Sequence, residues 1–534
     1  MKPKELTPQQ IQSEFSQGKA YKESINLYEK VKINNRFYEG DQWNGVKVLR
    51  TKPLTMNFLR RLFSYFTVMV VSDDVDFELK PFNAFDGEET AVAAMTDEIK
   101  RVIERCKLKV MWREGLRDAG TNGDAAVYHW WNPDKETGRE GVQGEIESEL
   151  LMNTNVIFGN STSGDVQSQP YIIIVRRRPV QTVREEARQN GVKDWENIRE
   201  ESGSEYVGEE EGTGTSLVTE LTRFWKQDKR VHFMTVCGDV VTKPDTPTEM
   251  QLYPISYWSW LPKRNACHGV RPMDELINTQ IAVNRLWSAV VSHIENLAFP
   301  KLVYDSTKFP KGWDATPGKA VAVQGAVDQA VTGTAGGVQL STQVTQILEL
   351  IVSTARDFAG ASDVALGNIS NPDNTSAIIA TQEATAAPLQ MQKFGYYQFV
   401  EDELRVFIDM IHAYYGIRQI RVTETLEDEA TGQQTEQENV VDMDFSSIPV
   451  NAMDLNVEVG ASSYWSTLVQ TANADKLLNA QIITNPVEYL KRLPDGTVKD
   501  KQGLISDLQE QISQQASAQM AQTMQVPTQQ GLGM

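Results

Sequence analysis

Five histidines, three cysteines and 72 aspartates and glutamates are the side chains that could do acid–base, metal or nucleophilic work in this chain. Their spacing gives them little to do together. His129, His232, His268, His293 and His412 are far apart, and no two fall at the short spacing of a zinc-ligand pair. Cys106, Cys237 and Cys267 are odd in number, distant from one another and lack a CxxC, which fits a reducing compartment rather than a disulfide framework. Cys267 and His268 are neighbours, an arrangement that suits neither a metal site nor a nucleophile–base pair, so a partly buried loop pair is expected there. His293 reads as a packing or polar-face residue of a helix. PGKA at Pro317–Ala320 lacks the spacing and the Ser/Thr of a phosphate-binding loop. GTGTSL at Gly212–Leu217 lacks the third glycine of a dinucleotide site, and neither HExxH nor GxSxG occurs. Glu209–Glu211 and Leu426–Glu429 read as solvated acidic surface, and Arg176–Arg178, alternating faces of a strand, as salt-bridge partners. The expectation is a chain with no catalytic residue, no metal, no cofactor and no enzymatic role.

The elements that would carry these residues change character along the chain. Residues 9–37 read as a polar helix, with a break at Gly40; a second helix runs from Asn57, and 86–119 is helical again. Ala126–Trp131 and Tyr171–Arg178 are β-rich between turn signals, 180–200 returns as a charged helix, and 217–260 completes a strand-rich block around the loop Ser202–Ser216. Val270–Leu297 is the strongest helical pattern. Pro272 lies in its first turn, and Met273, Leu276, Ile277, Ile281, Leu286, Val290, Ile294 and Leu297 recur at helical spacing. Gln280, Asn284, Ser288 and Ser292 fall four apart and form a polar stripe along it.

Residues 298–340 are rich in Pro and Gly between short β-prone pieces, and Ser341–Gly360 returns as a helix, giving a stalk with a knob. A Gly-Asn-Pro loop, Ala361–Ser376, leads into a helical stretch from Ala377 to Tyr415, which Pro388 inside it should kink. Residues 417–460 are β-prone around the acidic segment Glu424–Asn439, and the chain is helical from about Ala461 to a Gln-rich end.

At 534 residues the chain suggests roughly three to five domains. Its formal net charge of −20 argues against a sequence-reading DNA binder or an anionic membrane surface as partner. The longest apolar runs, such as Phe66–Val71 and Tyr171–Val175, are far shorter than a bilayer span, and the first residues lack the apolar core of a signal peptide, so a soluble protein made in the cytoplasm is expected.

In the order of its elements the chain resembles the portal proteins of tailed bacteriophages across about residues 10–500. The resemblance is carried by FYEGDQW (Phe37–Trp43), by GTNGDAAVYHWW after the 86–119 helix, and by Gly269–Tyr304 as stem helix leading into clip. Gly360–Thr385, which looks like the tunnel loop and the helix after it, and NPVEYLKRLPDG, which is similar to the helical crown, complete it.

What the resemblance implies is an α+β multidomain, ring-forming fold with α/β wing, long-helix stem, small α/β clip and helical crown. The regions would be an N-terminal wing (1–269), stem helix (270–297), clip (298–340), returning stem helix (341–360), tunnel loop (361–376), kinked helix and wing strands (377–460), and crown with Gln-rich tail (461–534). Twelve copies would form the channel at one capsid vertex of the virion, assembled in the host cytoplasm, for packaging and ejecting double-stranded DNA.

The partners implied are a large terminase, a head-completion adaptor, the major capsid protein and a scaffolding protein; DNA contact would be transient and non-specific, with no membrane. Asn368, Ser370, Asn371, Asp373, Asn374 and Thr375 would line the narrowest passage, Gln280, Asn284, Ser288 and Ser292 would face the channel from the stem, and Pro388, with Gly395, would let the next helix bend. The residues by themselves leave open a structural ring or scaffold oligomer with no DNA role.

Overall fold

The computed structural model describes residues 6–46, 52–71, 75–81, 88–136, 142–200, 216–298, 301–304, 307–309, 323–326, 331–335, 346–347, 349–353, 389–427, 434–448, 453–459 and 486–493, with shorter pieces between 471 and 508. The tunnel-loop positions Asn368 to Thr375, Pro388, most of the clip and the loop holding Glu209–Glu211 lie outside the described residues. The fold is mixed α+β and divides into two compact units, residues 1–70 with 79–456 and residues 71–78 with 457–534.

The first unit is built around two antiparallel sheets. One is a five-stranded meander in the order β4 (Val156–Phe158), β5 (Ile172–Pro179), β6 (Leu217–Gln227), β7 (Arg230–Cys237), β8 (Val240–Pro247). Alternate residues of a strand face opposite sides, and both sides of this sheet are covered. Ile173, Val175, Leu221, Met234 and Val236 pack with Ile157 against Ile11 of α1 (Pro8–Ser24). Val218, Cys237 and Val240 pack against Val180, Val183 and Ala187 of α6 (Val180–Gln189). Helix α1 approaches so closely that a Cβ on Gly18 would lie 2.2 Å from a methyl of Ile157.

The second sheet has three strands in the order β3 (Gln143–Leu151), β2 (Asp124–Glu136), β9 (Ile255–Ser259). Helix α5 (Leu108–Asn122) packs on β2, and α8 (Gln390–Tyr414) packs on β9. Gly395 permits that second contact, since a Cβ there would sit 2.7 Å from Nε1 of Trp258. Helices α2 (Leu27–Glu39), α3 (Phe58–Val70), α5 and α7 (Pro272–Ala298) pack together beside the sheets.

Several expected elements are subdivided. The 9–37 helix is two helices, parted where Asn26 takes a left-handed conformation at φ 53°, which asparagine tolerates better than most residues. The 86–119 helix breaks the same way at Lys107, between α4 (Glu88–Arg105) and α5. Gly40, at φ 101°, ends α2 as expected. The 180–200 helix is shorter than expected and ends at Gln189.

The acidic segment expected to interrupt 417–460 is largely strand. β12 (Ile417–Glu427) pairs with β13 (Gln434–Asp444) in continuous register, Leu426 opposite Thr435. Strands β10 (Lys301–Tyr304) and β11 (Val331–Ala335) pair within the clip region, and β1 (Val75–Pro81) pairs with β14 (Met453–Val459). The described part of the second unit contains α9 (Pro486–Arg492) and a small core of Ala474, Val487, Leu490, Leu493 and Ile505.

Candidate functional site: the α7 rod and its neighbours

Helix α7 is 27 residues long, which at a rise of 1.5 Å per residue makes a rod of about 40 Å. Its body end is held by polar contacts. Asp274 in the first turn accepts from Asn34 Nδ2 at 2.9 Å and from Arg271 Nε at 3.1 Å, with Lys30 at 3.7 Å. Met273, Val283 and Val290 are buried; beyond Val290 no described side chain of the helix is. His293 is half-buried on that outer part, consistent with a packing or polar-face residue.

The polar stripe is where the sequence places it on the helix and not where a channel-facing role needs it. Gln280, Asn284 and Ser288 are buried under residues 54–59 of the same chain. Ser288 Oγ accepts from the Leu54 amide at 3.0 Å, Asn284 Oδ1 from the Met56 amide at 3.0 Å, and Gln280 Oε1 from the Leu59 amide at 3.3 Å. Gln280 also donates to the Met56 carbonyl at 2.7 Å, and Asn284 donates to Gln42 Oε1 at 2.5 Å. Lys52 pairs with Glu295 at 3.1 Å.

The physical reason is that residues 52–57 form a strap that belongs to no helix or strand; its amides need acceptors, and the stripe supplies them. These three residues therefore do not form an open polar face, which corrects the channel-facing expectation for them. Ser292, half-buried, continues the stripe one turn further out. Asn57 then starts α3, accepting from the Arg60 amide at 3.1 Å as its cap.

The rod leaves apolar side chains in solvent, Trp287 on its middle part and Ile294 on its outer part. Trp287 is 38% exposed and Ile294 53%. On the stretch expected to return beside it, Ile347 is 48% and Leu350 63% exposed. Helix α8 shows the same division: from Glu403 to Ile411 it is buried on nearly every side, while Met391 and Phe394 at its start are 76% and 66% exposed.

Three buried polar clusters in the first unit escape sequence reasoning. Lys22 of α1 is buried, and its Nζ donates to the carbonyls of Asn153 and Thr154 at 2.9 Å each and of Val156 at 2.6 Å. Burial pushes the ammonium down to about 7, while three carbonyl acceptors call for the three N–H donors that only the charged form carries.

Asp124 and His268 form a second cluster, Oδ2 to Nδ1 at 2.9 Å. Burial would raise Asp124, but the imidazole, the Gly269 amide and the Ser259 hydroxyl outweigh it and hold the carboxyl below its usual range. Burial would lower His268, and Asp124 reverses that direction. Ser259 donates to Asp124 at 2.7 Å, so these three residues do not form the serine–histidine–aspartate relay of a hydrolase. They tie the loop before α7 to the start of β2. Cys267 and His268 are more deeply buried than the expected partly buried pair, with Cys267 3% and His268 4% exposed.

The third cluster joins α5, β2 and α8. Trp112 Nε1 donates to Glu403 Oε2 at 2.6 Å, and Glu403 Oε1 lies 3.5 Å from His129 Nε2. Burial pushes Glu403 up to about 8 against the indole hydrogen bond, and pushes His129 down to about 3, favouring the neutral form of each. Each cluster links residues over a hundred positions apart, a relation no local spacing reveals. The only signal was the presence of an ionisable residue inside an apolar pattern, as for Glu403 within FVEDELRVFI.

Arg176 and Arg178 act as the sequence suggests: Arg176 pairs with Glu149, and Arg178 bonds Glu186 at 2.5 Å and Glu220 at 3.3 Å. Among the described residues no group of three His, Cys, Asp or Glu side chains could hold a metal ion, and no helix is long and apolar enough to cross a membrane. No protein-family model and no curated protein sequence matches the chain.

Proposed function

We propose that this chain is a subunit of a phage portal ring, a passive conduit for double-stranded DNA at one capsid vertex rather than a catalyst. The observation that carries the reading is the division of α7 and α8, each buried along one part and left with exposed Ile294, or Met391 and Phe394, toward the other end. Isolated apolar side chains on a surface are ordinary. Several on the parts of the helices farthest along from their buried ends mark surfaces completed by something else. Copies of the same chain are the economical occupant, because a closed ring buries every such face identically.

The acidic balance of −20 fits a conduit. Each phosphate neutralised by a basic side chain tightens attachment to DNA, and a wall that binds DNA tightly would stall its passage. The clip would receive the terminase during packaging and the adaptor afterwards, with the motor ATPase on a separate chain. Purified full-length protein examined by mass measurement and negative-stain imaging tests the reading. The expected result is a ring of twelve copies with a central hole wide enough for a duplex. A stable monomer at 60.0 kDa would overturn it; a closed ring too narrow for DNA would favour a purely structural oligomer.

A further inference from the structure

We draw no further inference here: the strongest candidate, the cavity of about 420 Å³ between the end of α1, the loop 263–271 and the first turn of α7, carries nothing, because Lys263 and Arg271 in its lining are balanced by Asp274 and Glu275 and so select no class of ligand, and the unpartnered Nε2 of His268 in its wall is closed off from solvent.

Discussion

The five-stranded sheet and the α7 rod bury apolar residues in opposite ways. The sheet is covered on both faces by its own chain, α1 on one side and α6 on the other, and Gly18 lets α1 come within methyl contact of β4. The rod is covered by α2, α3, α5 and the strap as far as Val290, and beyond it no described side chain is fully buried. One region is finished by the polypeptide that makes it. The other has the amphipathic pattern of a packed helix with part of its apolar surface left uncovered, which under the proposed reading is where copies of the chain would meet.

The comparison can be broken most directly at the rod. Ile294→Asp with Leu350→Asp places two charges on the uncovered faces. Assembly should be lost, with sedimentation giving a 60.0 kDa species, while the melting of the sheet-containing unit stays within about 0.5 kcal/mol of the parent. An equal loss of stability would mean that these faces pack within the chain after all.

The converse variant, Lys22→Met, strips the donors from three buried carbonyls. It should cost roughly 3–5 kcal/mol in denaturant unfolding of the isolated subunit, whatever the assembly does.

The pH dependence sharpens the same division. Glu403 has a folded value of about 8, above its ordinary 4.5, so between these values the folded chain holds a proton that the unfolded chain has released. Its contribution is complete below pH 4.5 and lost as pH rises through 8. Lys22, lowered from 10.5 to about 7, acts in the opposite sense, its contribution present above 10.5 and lost as pH falls through 7. Glu403→Gln, which keeps the acceptor for Trp112, should flatten the loss between pH 6 and 8.5 relative to the parent, read as melting temperature against pH.

The smallest expected effect is at the contact that closes the sheet. Gly18→Ala forces Ile157 aside and should cost about 1–3 kcal/mol without changing the oligomer.

Much of this architecture could be read in the sequence, and the limits have physical causes. The α7 helix was legible to within two residues because 27 positions repeat one period. The breaks at Asn26 and Lys107 were not, since a single left-handed residue leaves the apolar period on either side intact. The polar stripe was legible as a stripe; its covering was not, because residues 54–59 contribute backbone amides, which carry no mark in the sequence. Strand β3 was missed because GEIESELL alternates charged residues with few apolar ones and shows its pairing only once its cross-strand partner is known. Lys22 and Glu403 were hidden for the same reason, as their partners lie 131 and 291 residues away.

The most direct test of the central claim is the mass and image of the purified full-length protein at assembly concentration. The account requires a closed ring of about twelve subunits with a duplex-wide hole, in which Trp287, Ile294 and Leu350 are protected from solvent labelling. A monomer in which those three residues stay fully labelled at every concentration would contradict it.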